Sequence, residues 1–404
     1  MDFISEICKN LPISLKKHLD KKRVFFVEKS SDKNLSDLKN CIASTMKGMS
    51  SWGEHVPYAW AKLESVLREM RRSIKVCRFS NLLEYVTKKK VVKIKTKKDL
   101  LTALKFFHER GVIFFRNEIE KVIILDVQWF VDAFKCIILD ERHYESKEVG
   151  NLKEFDSLNK YGLLSDKILN DLWKNSDFQQ HKQDLVNQMI DLNMLANVEA
   201  DLWYVPCMNK QKYTPSILDN CTVSSTLCFV FKFLPFVIFH RLVIACMKKM
   251  KMTLWQHGDK YCIYHTVVVL KWETKKHQVL FGIRDKKVNG IEEYPYSIEI
   301  QAAVIQPRPL DKHVCSELRE NISKILENLT MTFPVHEEAY LEGYRCVRKP
   351  YNNLPDGHII LEKDVSKDVD CTKCPSHVVE VQSIVGFWKV CVLHICIRLP
   401  GQKS

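Results

Sequence analysis

Residues 111–140 constrain the fold of this chain more than any other segment. Two apolar runs, 112–115 and 122–125, flank a polar connection, which is the spacing of a β-hairpin. Asp126 follows the second run and is placed to cap the next helix. The segment therefore predicts a hairpin that leads directly into a helix, with the aromatic side chains of that helix in a core: Trp129, Phe130 and Phe134.

A similar order of elements recurs further along the chain. The helix before the first hairpin is predicted to begin near Asp99. Residues 178–192 predict a second helix, and 195–198 and 202–205 predict two strands after it. Ser165 is a predicted N-cap between the two groups. The pattern indicates two winged-helix-like units in succession.

Beyond a polar stretch at 210–225, strands become dominant. Four segments rich in β-branched and aromatic side chains predict strands: 226–234, 261–272, 278–284 and 296–305. Helices predicted at 236–250 and 311–329 interrupt them. Strands with segregated helices are typical of an α+β architecture. The chain as a whole is therefore predicted to be α+β, with a winged-helix-like, helical first part and a mixed α/β second part.

The cysteine content and the apolar patterning indicate a reducing compartment. The chain has fifteen cysteines among 404 residues, and its first residues lack the order of a secretory signal. The sequence contains no uninterrupted apolar run of about 18 residues, so no transmembrane segment is expected. We therefore expect a cytoplasmic protein whose cysteines are reduced thiols and not a disulfide framework.

A net charge of +13 raises the question of an anionic partner. Part of the excess lies in one basic run: Lys88, Lys89, Lys90, Lys93, Lys95, Lys97 and Lys98. Such a run can bind phosphates, anionic lipid or an acidic partner, or it can be a solvated loop. No nucleic-acid motif accompanies it, and the predicted recognition helices are apolar, so nucleic acid is not an expected partner.

Short motifs in a fixed order link the chain to a known family. Trp52-Gly-Glu-His-Val-Pro57 is followed by Leu104-Lys-Phe-Phe-His-Glu-Arg-Gly-Val112 and then by Val122-Ile-Ile-Leu-Asp126. Together with the Phe-Leu-Pro-Phe motif at 233–236, they resemble the COR region, which follows the Roc GTPase domain in Roco proteins. The resemblance covers residues 20–365 and departs from the family at Val127, where proline is usual.

The resemblance implies four segments. They are a remnant of the last strand and helix of a Roc domain (1–50), a winged-helix-like first COR subdomain (51–210), a second COR subdomain (211–365) and a divergent cysteine-containing tail (366–404). The layout is similar to that of kinase-less animal Roco proteins with leucine-rich repeats. In the family this region carries dimerisation and couples nucleotide state to other domains. The implied partners are therefore a second copy in a homodimer, a Roc GTPase domain in cis or in trans, and signalling proteins.

The sequence lacks the motifs of the catalytic domains that accompany COR. No glycine is followed by lysine, so a P-loop is missing, and no kinase or hydrolase motif occurs. The segment from Thr96 to Asp99 has a faint likeness to a guanine-reading motif but opens a helix. His108 has no catalytic partner at a suggestive spacing and is expected to pack or to cap a helix end. We therefore expect no catalytic residue and no cofactor, with GTP or GDP bound only by a Roc domain outside this chain.

One group of cysteine and histidine side chains could hold a metal ion. Cys371, Cys374 and His377 have a spacing that suits zinc. A fourth ligand could come from three later residues: Cys391, His394 or Cys396. The alternative is that these cysteines are small apolar side chains without a ligand.

The function that the sequence favours is a non-catalytic COR scaffold for dimerisation and intracellular signal transduction downstream of a Roc GTPase. An exposed apolar patch large enough for a homodimer is expected within 226–330. Two alternatives remain open. One is a fragment of an active Roco GTPase or GTPase–kinase whose catalytic domain is missing here, and the other is a nucleic-acid-binding winged-helix protein.

Overall fold

The computed structural model divides the chain into two compact units, Met1–Ala133 and Phe134–Ser404. The described residues are 24–27, 32–50, 52–53, 55–89, 93–94, 96–115, 122–138, 152–174, 176–258, 260–284, 294–331, 339–353, 357–365, 369–370, 378–379 and 384–389. None of the helices within these ranges is long and apolar enough to cross a membrane.

The first unit is mainly helical. Its described elements are α1 (Asp32–Lys47), α2 (Tyr58–Ser73), β1 (Val76–Arg78), α3 (Phe79–Lys89), α4 (Lys97–Glu109), β2 (Val122–Ile124) and the start of α5 (Val127–Ile137). Strands β1 and β2 are antiparallel, and Phe114 forms a single bridge to Ile124. The apolar sides of α2, α3 and α4 meet in one core that includes Leu63, Leu82 and Phe107.

The N-cap predicted for α5 is confirmed. Asp126 Oδ1 accepts the N–H of Trp129 at 3.2 Å, and Oδ2 accepts the ammonium of Lys75 at 2.7 Å. Burial acts to raise the pKa of Asp126, but the bonds from Lys75 and Trp129 together hold this pKa below its usual value. Trp129 and Phe130 are confirmed as core residues, whereas Phe134 is only half-buried.

The Asp126→Ala variant should lower the free energy of unfolding of the first unit by about 1–2 kcal/mol near neutral pH, because it removes both the cap and the ion pair. Asp126→Asn keeps an acceptor for the Trp129 N–H and should therefore be less destabilising. Denaturant-dependent hydrogen exchange of the β2 amides in the full chain measures both effects.

The same experiment has a pH dependence with a defined sign. The pKa of Asp126 is lower in the folded than in the unfolded protein, so its charge stabilises the fold above the unfolded pKa of about 4. That stabilisation is lost as pH falls through the folded pKa. Both variants should lack this contribution, and identical acid sensitivity in the two variants and the unaltered protein would contradict the assignment.

The second unit begins with a small helical part. Its elements are α6 (Leu152–Tyr161), β3 (Leu163–Ser165), α7 (Asp166–Trp173), α8 (Lys182–Asp191), β4 (Ala196–Glu199) and β5 (Leu202–Tyr204). The three strands form an antiparallel sheet in the order β3-β5-β4. Ser165 is confirmed as an N-cap, since its Oγ accepts the N–H of Ile168 at 3.4 Å.

The two units share an order of elements that extends the predicted repeat. Each has a helix, a strand, two helices and then two extended segments, and in each the first strand pairs with the last. The segment before the last strand also pairs with it, through Phe114 in the first unit and through β4 in the second. Strands β1 and β3 at the start of the two groups, and helix α6, were not predicted.

A large antiparallel sheet follows in the second unit. Its elements and their neighbours are β6 (Cys221–Val223), β7 (Leu227–Phe231), α9 (Phe236–Lys249), β8 (Thr253–Leu254), β9 (Gln256–His257), β10 (Lys260–Tyr261), β11 (Val267–Trp272), β12 (His277–Arg284), β13 (Tyr296–Ile305), α10 (Lys312–Thr330), β14 (Leu341–Arg345) and β15 (Ile359–Leu361). The order is β15-β14-β7-β13-β12-β11-β8, and β6 pairs with β13. Helices and strands are segregated, so the predicted α+β class is confirmed.

Both faces of this sheet are covered. Helices α9 and α10 pack on one face, in a core that also takes in Tyr204 of the small sheet. On the other face lie irregular segments, with Tyr213, Leu218 and Tyr351 buried against the strands. Tyr213 and Leu218 come from the polar stretch that separates the two predicted subdomains, and they are part of the sheet's own core.

Candidate interaction surfaces

The first unit leaves one apolar helix side exposed. In α1, Leu35 and Leu38 are only half-buried, and Ile42 and Met46 are exposed, although the four lie at helical spacing. We call these four residues the α1 face. The resemblance to a Roc domain implies a strand before this helix, but residues 24–27 do not form one, and Phe26 is 78% exposed. An exposed apolar stripe of this kind is typical of a helix that docks on a partner surface.

The second unit buries an ionised triad at the centre of its large sheet. Glu299 lies on β13, Arg284 on β12 and Arg345 on β14, and all three side chains are buried. Arg284 Nε lies 3.0 Å from Glu299 Oε2, and Arg345 Nη2 bonds Glu299 Oε1. Burial acts to raise the pKa of Glu299, but the two guanidinium groups hold it below its usual value. The carboxylate is therefore charged, and the triad carries one net positive charge.

The strand register makes room for the triad. Gly282 lies directly across from Glu299 on β12, and Cys228 lies directly across on β7. A Cβ atom at Gly282 would come within 2.4 Å of Tyr351 Oη. The Tyr351 ring stacks on the Arg284 guanidinium, with the guanidinium carbon 4.2 Å from the ring centroid. Small residues at 228 and 282 thus let larger groups converge on one carboxylate.

The triad and its neighbour Gln301 attach the connection between β14 and β15 to the sheet. Arg284 donates to the carbonyls of Asn352 and Asn353 at 2.6 and 2.9 Å, and Arg345 donates to that of Gly357 at 3.1 Å. Gln301 accepts the N–H of Tyr351 at 2.9 Å and donates to the carbonyl of Lys349 at 2.8 Å. The polar side of β13 therefore serves as the attachment surface for this segment.

Glu299→Gln should destabilise the second unit by roughly 3–5 kcal/mol, because it leaves two buried guanidinium groups without a counterion. The matched control is Glu273→Gln, which removes the charge of an exposed pair with Lys271 in the same unit and should change stability by less than about 1 kcal/mol. Chemical denaturation with hydrogen exchange of the β12 and β13 amides measures both. Equal losses in the two variants would contradict the role of the triad.

An open groove lies where α10 ends beside the β14–β15 pair. Its volume is about 790 Å³, and its lining combines apolar and acidic residues: Glu327, Thr330, Met331, Ala339, Tyr340, Leu341, Glu342, Leu361, Glu362 and Lys363. Arg319 bridges Glu342 and Glu362 at 2.8 Å each. Met331 is 76% exposed at the rim. The groove is therefore a concave surface of mixed apolar and acidic character.

The structure does not describe the metal ligands that the sequence predicts. Cys371, Cys374 and His377 lie outside the described residues, as do the three residues considered for the fourth position. Within the described ranges, no group of three histidine, cysteine or acidic side chains is placed to hold a metal ion. The zinc hypothesis stays a prediction.

Two smaller predictions in the first unit are resolved. His108 packs edge-on against Phe114, and its Nδ1 accepts the N–H of Phe115 at 3.4 Å, so the packing role is confirmed. Thr96 caps α4 through a bond from the Asp99 N–H at 3.1 Å. The threonine and aspartate of the guanine-like segment thus have a local structural role in starting the helix. The helix begins at Lys97, two residues earlier than predicted.

The triad was not predicted from the sequence. Its signal is a charged residue at the centre of an apolar strand, in the alternation Ser297, Ile298, Glu299, Ile300, Gln301. That alternation is typical of a strand with one side in water, so it gives no indication that the polar side is buried.

Comparison with known proteins identifies the domain. Residues 57–214, from the start of α2 to the segment before β6, match the family model described as C-terminal of Roc, COR-A domain. The chain contains a COR domain of the Roco family. The COR-A match thus covers both groups of elements, each of which consists of a helix, a strand, two helices and two extended segments.

Two further similarities involve parts of larger proteins. The COR-containing chain is 24% identical to the probable serine/threonine-protein kinase pats1 of Dictyostelium discoideum over 165 aligned residues. The aligned region covers 40% of this chain and 5% of that protein. The chain therefore spans a small part of that relative. The structure of Methanosarcina barkeri Roco2 RocCORdC bound to GDP is 13% identical, with a TM-score of 0.31 over 44% of this chain and 51% of that chain.

Proposed function

We propose that this chain is a non-catalytic COR scaffold that binds a Roc GTPase domain, in cis or in trans, and transmits its nucleotide state to signalling proteins in the cytoplasm. The observation that carries the proposal is the α1 face. It lies in the segment that resembles the last strand and helix of a Roc domain, directly before the COR-A match. An exposed apolar stripe at that position is explained if a GTPase sheet covers it.

The test is binding of a recombinant Roc GTPase domain to the full chain by calorimetry. Ile42→Asp places a charge in the α1 face and should weaken binding at least about tenfold, as for a central apolar contact. Val131→Asp on α5 is the matched control, since Val131 is 49% exposed and Ile42 is 50% exposed. Val131→Asp should leave binding unchanged. The proposal fails if the two variants behave alike or if the unaltered chain does not bind.

We propose that the scaffold acts as a homodimer through the second unit. Three large apolar side chains are exposed among the described residues of 226–330: Phe233, Val237 and Ile305. Phe233 and Val237 flank the start of α9 and are the candidate contact. Three side chains provide less apolar surface than the large patch expected from the sequence. A stable dimer interface therefore includes further contacts.

The double variant Phe233→Asp, Val237→Asp should shift sedimentation of the full chain from dimer to monomer, because two charges would enter an apolar contact. Ile305→Asp, at a similarly exposed site, is the control and should leave the dimer intact. A monomer at high micromolar concentration of the unaltered protein would refute the dimer.

We further propose that the two repeated groups are winged-helix-like units that bind protein. Their shared order and strand pairing support this assignment. In the first unit, α4 has the position of a recognition helix, and it buries Leu100, Leu104 and Phe107 in its own core. Nucleic-acid binding has no support from the family match, which is to a COR-A domain.

A further inference from the structure

The groove beside α10 has the chemistry of a site for an apolar and basic segment. Tyr340, Leu341 and Leu361 are half-buried in it, and Met331 is exposed. Glu327 and Glu362 add carboxylates to its lining. An amphipathic concavity of about 790 Å³ is of a size that takes several side chains.

Residues 384–389 of the same chain lie close to this groove. Trp388 is fully buried, and its Nε1 donates to Ser225 Oγ at 2.9 Å. Ile384 and Phe387 are buried in the same core as α9 and α10. The next residue, Lys389, forms an ion pair with Glu362 of the groove lining. Lys389, after which the description of the chain stops, therefore lies beside the groove.

Residues 390–404 match the groove in composition. Eight of the first ten are apolar, namely Val390, Cys391, Val392, Leu393, Ile395, Cys396, Ile397 and Leu399. Leaving such a run in water is unfavourable, so it needs a surface that covers it. Arg398 and Lys403 carry positive charge, complementary to Glu327. Fifteen residues reach at most about 50 Å when extended, which is enough chain to cross a groove of about 790 Å³.

We propose that residues 390–404 bind in cis in the groove formed by the end of α10 and the β14–β15 pair. The apolar run covers Leu341, Leu361 and Met331, and the following cations lie near Glu327. This inference does not depend on the Roc-binding proposal, because it involves a different unit of the chain.

A disulfide trap tests the contact in the full-length protein. Met331→Cys places a thiol at the rim, within reach of the native Cys391 and Cys396. Mild oxidation with diamide should then give an intramolecular disulfide from position 331 to one of these two, detected by peptide mapping. Ile305→Cys is the matched control, since Ile305 is also exposed in the same unit, and it should give no such link. Equal linking from both positions would overturn the proposal.

Removal of residues 390–404 gives a second measurement. Hydrogen exchange of β15 and of the last turn of α10 should become about tenfold faster, while exchange of β12 stays the same. Unchanged exchange in β15 would overturn the proposal. So would a disulfide found only between two chains, because the groove would then be occupied by a second copy.

Discussion

The buried charge of Glu299 is the constraint on which the second unit depends. A carboxylate in the middle of a sheet is strongly destabilising unless cations reach it, and here they come from the neighbouring strand and from β14, beyond β7. Those guanidinium groups in turn hold the backbone at 352, 353 and 357. The buried polar side chains of β13 need ion-pair and hydrogen-bond partners. The residues that supply these partners also fix the position of the segment between β14 and β15.

This arrangement explains why the sheet has no solvent-facing side. Helices α9 and α10 cover the apolar side of β13, which carries Ile298 and Ile300. The opposite side carries Glu299 and Gln301, and it is closed by segments that bond to them. With both faces covered, the surfaces left for partners lie at the ends of elements. The groove beside α10 is one such surface, and Lys389 forms an ion pair with Glu362 of its lining.

Local chemistry was predictable, and long-range pairing was not. Asp126 and Ser165 were identified as caps because capping depends on residues three positions apart. Helices α9 and α10 and strands β12 and β13 were placed within one or two residues by their periodicity. Strand β1 was missed because three residues carry no alternation, and its pairing with β2 joins positions nearly fifty residues apart. The hairpin partner expected for β2 is reduced to one bridge at Phe114.

The sequence by itself determined the COR assignment, the α+β class and the helix starts, because motif order, periodicity and caps are local properties of the chain. The tertiary structure alone decided which polar residues are buried and which apolar residues are exposed. Glu299 has the pattern of a solvent-facing residue and lies in the core, whereas Ile42 has the pattern of a core residue and is half exposed. Burial depends on which distant segment covers a face, and that is settled by charge pairing and packing across the fold, such as the approach of Arg345 and Tyr351 to β13.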